Sequence, residues 1–280
     1  MAEKYLLLRD GTKKTFTHME MMGVINITPD SFYAGSRTPT PAAALQRAAR
    51  MVEEGAEWLD VGGESTRPGA AAVTAEEEQR RVVPVIAALR RRWPDLLLSV
   101  DTYRAATAAA AVEAGADLVN DISAMTFDPQ MPDVIAQYRV PVVLMHINGR
   151  PDHMQDAPHY DDVVREVYRF LEERLNAAER AGIARERTVI DLGIGFGKTA
   201  AHNLQLLRRI EDFETLGRPH LLAVSRKSFI GKVLRASDPA DRLYGTAAIT
   251  AYAAGRGIEM ARVHDVRANL DAARMAEALR

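Results

Sequence analysis

Polar side chains follow the short apolar runs that recur along this 280-residue sequence. At these places stand Asn26, the turn 62–67, Asp101, Asn120, His146, Asp191, Lys227 and the pair Arg262 and His264. One such residue commonly caps the next helix, because Asn, Asp and Ser accept hydrogen bonds from free backbone amides. Eight equivalent positions favour a binding site instead, since the carboxyl ends of parallel barrel strands meet at one rim.

The types of these residues predict the chemistry of a ligand. The hydrogen-bond acceptors, one of which is an amide that also donates, are Asp101, Asn120 and Asp191. They suit a flat ring with an edge rich in N–H donors, such as an aminopyrimidinone. The basic residues after the last two apolar runs are Arg226, Lys227, Arg262 and His264. They form a cationic corner that suits phosphate, so we expect a ligand with a hydrogen-bonding head and an anionic tail.

The glycine-rich segment GIGFGKT at residues 193–199 is similar to two nucleotide-binding motifs but fits neither. A phosphate P-loop needs glycine where Leu192 stands, and the glycine spacing differs from that of the Rossmann fingerprint. The sequence contains no cysteine, and its seven histidines do not form a zinc-binding pattern. We expect His153, His159 and His220 in loops or at the surface.

Short apolar runs alternate with longer amphipathic segments, which is typical of a parallel sheet covered by helices. The runs predict strands at residues 22–25, 58–61, 96–100, 118–119, 140–145, 188–190, 221–224 and 260–263. Helices are predicted at residues 41–54, 75–92, 105–114, 132–138, 161–181, 203–210, 266–279 and, in split form, 229–254. Eight such pairs predict an α/β fold of the (β/α)8 TIM barrel type, with a doubly wound open sheet as the alternative. Residues 5–8 and 15–18 flank an Asp10-Gly11 turn and predict an N-terminal β-hairpin outside the barrel.

The composition excludes several classes of protein. Hydrophobic residues make up 47% and charged residues 26%, which is ordinary for a globular chain and argues against disorder. The formal net charge of −2 gives no reason to expect nucleic acid or an anionic membrane as a partner. No apolar run approaches the roughly 18 residues of a membrane span, and the N-terminal residues do not form a signal peptide. We therefore expect a cytoplasmic protein in which residues 1–280 form one domain.

Eight ordered motifs between residues 22 and 266 carry a family resemblance. In chain order they are MGVINITPDSF, DVGGESTRPGA, SVDTYR, LVNDIS, VVLMH, DLGIGFGKT, VSRKSFIG and RVHDV. In these motifs the sequence resembles the dihydropteroate synthase family of folate biosynthesis, the target of sulfonamides. The resemblance implies a transferase that uses magnesium. Such an enzyme joins 6-hydroxymethyl-7,8-dihydropterin pyrophosphate to 4-aminobenzoate and gives 7,8-dihydropteroate and pyrophosphate.

The resemblance also implies roles for particular residues. The residues expected to bind the pterin are Asp101, Asn120, Ile122, Met145, Asp191 and Lys227, with Phe196 as a further substrate-binding residue. The residues expected to contact pyrophosphate are Thr66, Arg67, Arg262 and His264. Ser228 would lie near the carboxylate of 4-aminobenzoate, where free amides at a helix start favour an anion. Asn26 would supply an oxygen ligand to Mg²⁺, which is a hard cation.

Two Pro- and Gly-containing loops, after the first and second predicted strands, are expected to act as lids. We expect Asp30 and Phe32 in the first loop and Arg67 in the second to be catalytic, together with Lys227. Closure would protect a pterin cation from water after pyrophosphate leaves. The sequence departs from the common family pattern at Ala34, where Asp is frequent, and at Leu192, where Pro is common.

Three other functions share part of this pattern. A pterin-dependent methyltransferase of the same superfamily has no pyrophosphate to bind, so the STRPG, SRKS and RVH segments argue against it. An aldolase would use Lys227 as a Schiff base, which borohydride trapping would detect. A non-catalytic pterin-binding homologue would bind the pterin without turnover. The resemblance further implies a homodimer formed through the late helices.

Overall fold

The structure is a computed structural model that describes residues 4–27, 40–65 and 73–280. Two short antiparallel strands, β1 Tyr5–Leu7 and β2 Lys13–Thr15, precede a sheet of eight parallel strands within these ranges. The parallel strands are β3 Glu20–Asn26, β4 Trp58–Gly62, β5 Leu97–Asp101, β6 Leu118–Asp121, β7 Val142–Met145, β8 Thr188–Asp191, β9 Leu221–Leu222 and β10 Met260–Val263. Every predicted apolar run overlaps one of them.

The parallel strands close into a barrel. From β3 to β8 each strand pairs with the next in the chain, while β10 pairs with both β9 and β3. The remaining gap between β8 and β9 is spanned by a parallel bridge between Ile190 and His220, and the Ile190 amide donates to the Pro219 carbonyl at 2.9 Å. The (β/α)8 barrel is therefore confirmed, and the open doubly wound sheet is wrong.

Helices follow the strands and cover the outside of the barrel. They are α1 Pro41–Glu53, α2 Ala75–Arg92, α3 Ala105–Glu113, α4 Met131–Tyr138, α5 Val163–Arg180, α6 Ala200–Arg208, α7 Ser228–Leu234, α8 Leu243–Ala254 and α9 Val266–Ala278. The predicted split segment consists of α7, a 3₁₀ turn at Pro239–Arg242, and α8. Among the helices in the described part of the chain, none is long and apolar enough to cross a bilayer.

Local sequence explains why these segments become helices that pack on the barrel. In α5 the buried face consists of Val163, Val164, Val167, Leu171, Leu175 and Ala178. This helical spacing places the apolar side chains on one stripe and the charged ones toward solvent. Asp162 caps the helix because its Oδ1 accepts hydrogen bonds from the amides of Val164 and Arg165, both at 3.1 Å. The cap satisfies backbone donors that have no partner inside the helix.

The N-terminal hairpin is confirmed, but its second strand begins earlier than the sequence predicts. Tyr5 pairs with Thr15, and the strand covers Lys13–Thr15 rather than residues 15–18. The turn closes early because the Leu8 amide donates to the Thr12 carbonyl at 2.8 Å and Gly11 takes a positive φ of 88°. Glycine tolerates that conformation without steric cost.

The hairpin plugs the amino-terminal end of the barrel. Leu6 is fully buried in a cluster with Met22, Trp58, Leu118, Val143, Val189, Leu221 and Met260. The expectation that His220 lies at the surface is wrong, because this residue is 2% exposed and forms the bridge that closes the barrel. Burial lowers the pKa of His220 to about 3, so its imidazole is neutral at physiological pH.

Candidate active site

One cavity of about 180 Å³ opens at the carboxyl-terminal ends of the strands. Every predicted site residue within the described ranges lines it, namely Asn26, Asp101, Asn120, Ile122, Met145, Asp191, Phe196, Lys227, Ser228, Arg262 and His264. Four other predicted site residues, Asp30, Phe32, Thr66 and Arg67, lie outside the described residues, as does Ala34. The structure thus brings together side chains from seven strand ends and the loops that follow them.

Strand register places the polar groups of the cavity at one level. Asn26 pairs with Gly62, Gly62 with Asp101, and Asp101 with Asn120. Paired residues on parallel strands point to the same face of the sheet, so the side chains converge inside the barrel. A Cβ at Gly62 would lie 3.4 Å from the Asp101 Cβ and 3.6 Å from the Asn26 Oδ1. Glycine therefore leaves room between these two polar side chains.

Two carboxylates carry the acidic side of the cavity. Burial raises the pKa of Asp101 to about 7, although Arg262, which donates to its Oδ2 at 2.7 Å, opposes the shift. Burial also raises the pKa of Asp191, against the attraction of Lys227. The Asp191 Oδ1 accepts from the Gly193 amide at 2.7 Å, which fixes the side chain at the end of β8. Both groups are acceptors held in a poorly solvated site.

Arg262 lies between two acidic side chains. Its Nε donates to the Oδ2 of Asp60 at 2.6 Å, and its Nη2 donates to Asp101. Asp60 is fully buried and was missed by the sequence reasoning, because it stands inside an apolar strand and not at its end. The sequence signal that could have revealed Asp60 is an acidic residue within an apolar run, since a buried carboxylate in a core strand needs a partner.

The loop after β8 contacts Lys227 and fixes its position in the cavity. Its Nζ donates to the Ile194 carbonyl and lies 4.6 Å from the centre of the Phe196 ring. Burial lowers the pKa of Lys227 to about 8, although Asp191 favours its charged form. Gly195 has a φ of +87° and passes so close that a Cβ would lie 3.1 Å from the lysine Cδ. This glycine therefore lets the loop contact Lys227.

The GIGFGKT segment has a structural role that the motif search did not identify. Lys198 is buried and its Nζ lies 2.9 Å from the carbonyls of Gly193 and Phe196 and 2.8 Å from the Nδ1 of His146. These contacts tie the loop after β8 to the end of β7. Gly193 is required at φ +63°, because a Cβ there would collide with the His146 carbonyl oxygen at 1.7 Å.

The cationic corner is smaller than the sequence predicts. The Arg226 guanidinium donates to Asp265 at 2.8 and 2.9 Å and to two backbone carbonyls, so it braces the chain. Burial and the positive charge of Arg262 lower the pKa of His264 to about 3, which makes the imidazole neutral. Arg226 and Arg262 are both paired with carboxylates, so Lys227 is the charged basic residue of the four that makes no ion pair among the described residues.

An apolar wall faces these polar groups. Ile122 and Met145 form a buried cluster with Ile147 and Met154, and Phe196 packs against it. The loop after β7 also contributes Gln155, whose Nε2 donates to the Gly195 carbonyl at 2.7 Å. The sequence analysis did not identify Met154 or Gln155, because nothing in a long irregular loop predicts which side chain turns inward. The wall is suited to the face of a flat ring.

Among the described residues, the cavity contains the one residue that the sequence analysis expected to bind magnesium. Asn26 presents an amide side chain to the cavity at the same level as Asp101. Oxygen donors fit Mg²⁺, which binds few protein groups when phosphate oxygens and water complete its shell. In the described part of the chain, the three-residue cluster of metal-binding type is His18, Glu20 and Glu57. It belongs to the amino-terminal half of the strands, away from this cavity.

Comparisons with known proteins agree with this geometry. Residues 22–264 match the protein family described as pterin binding enzyme. Dihydropteroate synthase from Synechocystis sp. is 43% identical over 272 residues, covering 97% of this chain and 92% of the relative. The chain belongs to the dihydropteroate synthase family. The resemblance noted in the sequence motifs is thereby confirmed.

Solved dihydropteroate synthases have the same fold. The Yersinia pestis enzyme, determined with a sulfonamide drug complex, has a TM-score of 0.93 and 40% identity, with 98% of each chain covered. Dihydropteroate synthase from Xanthomonas albilineans in complex with 7,8-dihydropteroate has a TM-score of 0.87 and 45% identity, again with 98% of each chain covered. Dihydropteroate synthases are transferases, so the family assignment favours a transferase over an aldolase.

Proposed function

We propose that this chain is an enzyme that condenses 6-hydroxymethyl-7,8-dihydropterin pyrophosphate with 4-aminobenzoate, releasing pyrophosphate and 7,8-dihydropteroate. The observation that carries the proposal is the cavity at the carboxyl-terminal strand ends, in which buried acceptors, a lysine and an apolar wall converge. A similar chain binds 7,8-dihydropteroate in its solved structure. The product therefore has the chemistry that this cavity is suited to hold.

The pterin head would lie against the wall formed by Ile122 and Met145. Its N–H edge would donate to Asp101 and Asp191, and Asn120 would contribute its amide. A donor-rich ring is a good partner for these carboxylates, because burial leaves them poorly solvated and in need of hydrogen bonds. Lys227, which is largely protonated at neutral pH, would donate to an acceptor atom of the ring.

The pyrophosphate would lie at the mouth of the cavity, beside Arg262 and His264. Arg262 would contribute charge, and neutral His264, whose Nδ1 lies 2.9 Å from the Ser225 Oγ, would contribute a hydrogen bond. Thr66 and Arg67 are further predicted contacts. A magnesium ion bound by Asn26 and the pyrophosphate oxygens would neutralise charge on the leaving group.

The reaction needs stabilisation of a leaving group more than a strong base. The exocyclic C–O bond breaks and its electron pair leaves with pyrophosphate, so positive charge develops on the pterin. Asp101 and Asp191, which line the cavity, would stabilise that charge. The arylamine nitrogen then forms the C–N bond with its lone pair and loses one proton to solvent. Ser228 and Phe196 line the part of the cavity proposed for 4-aminobenzoate.

A turnover assay tests this function directly. Purified protein with the pterin pyrophosphate and Mg²⁺ should release pyrophosphate only when 4-aminobenzoate is present. Addition of excess EDTA should abolish the release, and Asn26→Ala should raise the magnesium concentration needed for half-maximal rate. Pterin binding without any turnover would indicate the non-catalytic homologue instead.

The homodimer is a further part of the proposal. Large apolar side chains that are exposed in the described structure lie on α7, α8 and α9 and just after α9, namely Val233, Leu234, Tyr244, Met275 and Leu279. Exposed apolar groups on neighbouring helices are typical of an interface between copies of a chain. Sedimentation equilibrium should give twice the 30.8 kDa chain mass, and Tyr244→Glu should shift the protein toward the monomer.

A further inference from the structure

Asp60 lies inside the barrel, on the amino-terminal side of the cavity that is lined by the predicted site residues. It stands in the middle of β4, is fully buried and does not line the cavity itself. Its Oδ2 accepts two hydrogen bonds, from the Nδ2 of Asn120 at 3.2 Å and from the Nε of Arg262 at 2.6 Å. Both donors belong to residues that do line the cavity. Asp60 is therefore connected to the site without being part of its surface.

The contact with Asp60 decides which way the Asn120 amide lies. An amide has one oxygen that accepts and one nitrogen that donates, and the two ends have nearly the same shape. An ionised carboxylate only accepts, so it pairs with the amide nitrogen and repels the amide oxygen. With its nitrogen bonded to Asp60, Asn120 has its oxygen available to the cavity.

Arg262 is the basic partner of Asp60 in the barrel interior. Its Nε and Nη2 donate to Asp60 and Asp101, so one guanidinium pairs with two carboxylates. A buried carboxylate without such a partner would be strongly unfavourable. The second oxygen of Asp60, Oδ1, is buried and has no hydrogen-bond partner among the described residues. The contacts to Asn120 and Arg262 are thus the hydrogen bonds that fix this side chain in the described structure.

We propose that Asp60 is a positioning residue that holds Asn120 as a hydrogen-bond acceptor toward the bound substrate. Without Asp60 the amide could turn over and present N–H groups to a ligand edge that is itself rich in N–H donors. The cavity would then contain opposed donors, which leaves buried groups unpaired. The proposal deepens the proposed function, because it rests on a pterin occupying the cavity, and it assigns Asp60 no contact with that pterin.

Calorimetric titration with 6-hydroxymethylpterin, which lacks the pyrophosphate, tests the role of Asp60. Asp60→Ala should weaken binding at least tenfold, because Asn120 loses the acceptor that orients it. Asn120→Asp should also weaken binding at least tenfold, because it places two carboxylates in contact. The swap that combines Asp60→Asn with Asn120→Asp restores one amide facing one carboxylate. It should bind at least fivefold more tightly than Asn120→Asp alone.

The swap keeps the proposal testable if Asp60→Ala does not fold, because its two substitutions preserve shape. Ser99→Ala is the matched control. Ser99 on β5 pairs in register with Asp60 on β4 and is fully buried. Its Oγ has no hydrogen-bond partner among the described residues, so removing it should leave the dissociation constant within twofold. Melting curves followed by circular dichroism would confirm that each titrated variant is folded.

Each outcome separates this proposal from the proposed function. If the unaltered protein binds neither this pterin nor the pterin pyrophosphate with Mg²⁺, the proposed function is wrong. If it binds, but Asp60→Ala binds equally well, Asp60 does not position Asn120. A swap that binds no better than Asn120→Asp would also overturn the proposal, because two independent sites would add their losses and show no rescue.

Discussion

The two ends of this barrel differ in the partners of their buried charged side chains. At the amino-terminal end the charges are satisfied by the chain itself. Lys4 contacts Glu214 at 2.6 Å and Glu259 at 2.8 Å, and the Arg187 Nη1 donates to three backbone carbonyls at 2.6 to 3.1 Å. These groups hold the N-terminal hairpin against the barrel. Their role is to stabilise the fold.

At the carboxyl-terminal end, the charged side chains line a cavity, where a ligand can supply further hydrogen bonds and opposite charges. Burial raises the pKa of Asp101 and lowers that of Lys227, as it does for Glu259 and Arg187 at the other end, but here the groups line an open cavity. Such perturbed groups in a cleft are typical of functional sites. The comparison predicts that substitutions at one end mainly change stability, whereas substitutions at the other end mainly change binding and catalysis.

The largest effect is expected from Leu6→Ala at the amino-terminal end. Leu6 is fully buried among the side chains that fill the base of the barrel, so its truncation leaves a cavity. Substitutions of this kind reduce the free energy of unfolding by about 2–5 kcal/mol. Urea unfolding should show the loss, while kcat/KM at 25 °C stays within about twofold of the unaltered enzyme. A large fall in kcat/KM of the folded variant would show that the two ends are not separate.

The second prediction concerns Asp101→Asn and Asp191→Asn at the other end. Each substitution keeps the shape but removes a charged acceptor from the pterin, and an unpaired buried donor costs about 1–3 kcal/mol. Binding of the pterin pyrophosphate should therefore weaken by roughly ten- to a hundredfold in calorimetry. The melting temperature should change by less than about 3 °C, because the carboxylates are themselves costly to bury. Unchanged affinity in both variants would exclude these residues from the pterin site.

The sequence predicted the barrel well because its strands are nearly continuous apolar runs. Polar residues at the ends of those runs were also informative, since parallel strands bring their carboxyl ends together. Two features could not be read this way. The pairing of Arg226 with Asp265 depends on how two loops pack, and the role of Asp60 depends on strand register. Neither long-range arrangement leaves a local pattern in the sequence.

The loop after β8 illustrates the same limit. The spacing of GIGFGKT correctly excluded a nucleotide-binding loop, but it gave no indication that Lys198 would be buried against His146. A lysine normally remains exposed, and only the carbonyls that the folded loop presents make its burial possible. Residues 28–39 and 66–72, which include Asp30, Phe32 and Arg67, lie outside the described residues, so their predicted catalytic roles remain predictions.

The third prediction is a narrow pH optimum for kcat/KM with the pterin pyrophosphate. As the pH rises through about 7, Asp101 loses its proton and becomes the acceptor that the pterin needs, so the value should rise. As the pH rises further through about 8, Lys227 loses its charge and the value should fall. Steady-state kinetics from pH 5.5 to 9.5 would show a bell-shaped profile. On each side of the optimum, kcat/KM should approach a change of about tenfold per pH unit.

Asp101→Asn is the control for the pH profile. It should remove the rise near pH 7 and leave the fall near pH 8, because the amide does not titrate. If the rise persists in this variant, another group, or the substrate itself, is responsible for it. The amino-terminal end should show no corresponding effect, and Lys4→Met should leave the pH profile unchanged.

The smallest effect is expected from His18→Gln, which defines the limit of the comparison between the two ends. His18 Nε2 lies 2.8 Å from Glu57 Oε1 at the amino-terminal end, but the two side chains are 42% and 32% exposed. Water screens such a pair and holding both side chains costs entropy, so the stability should change by less than about 0.5 kcal/mol. Urea unfolding at pH 6 would test this, with Leu6→Ala as the reference for a buried change at the same end. A loss above about 1 kcal/mol would mean that exposed pairs also hold the hairpin in place. The division between the two ends would then rest on position in the barrel and not on burial.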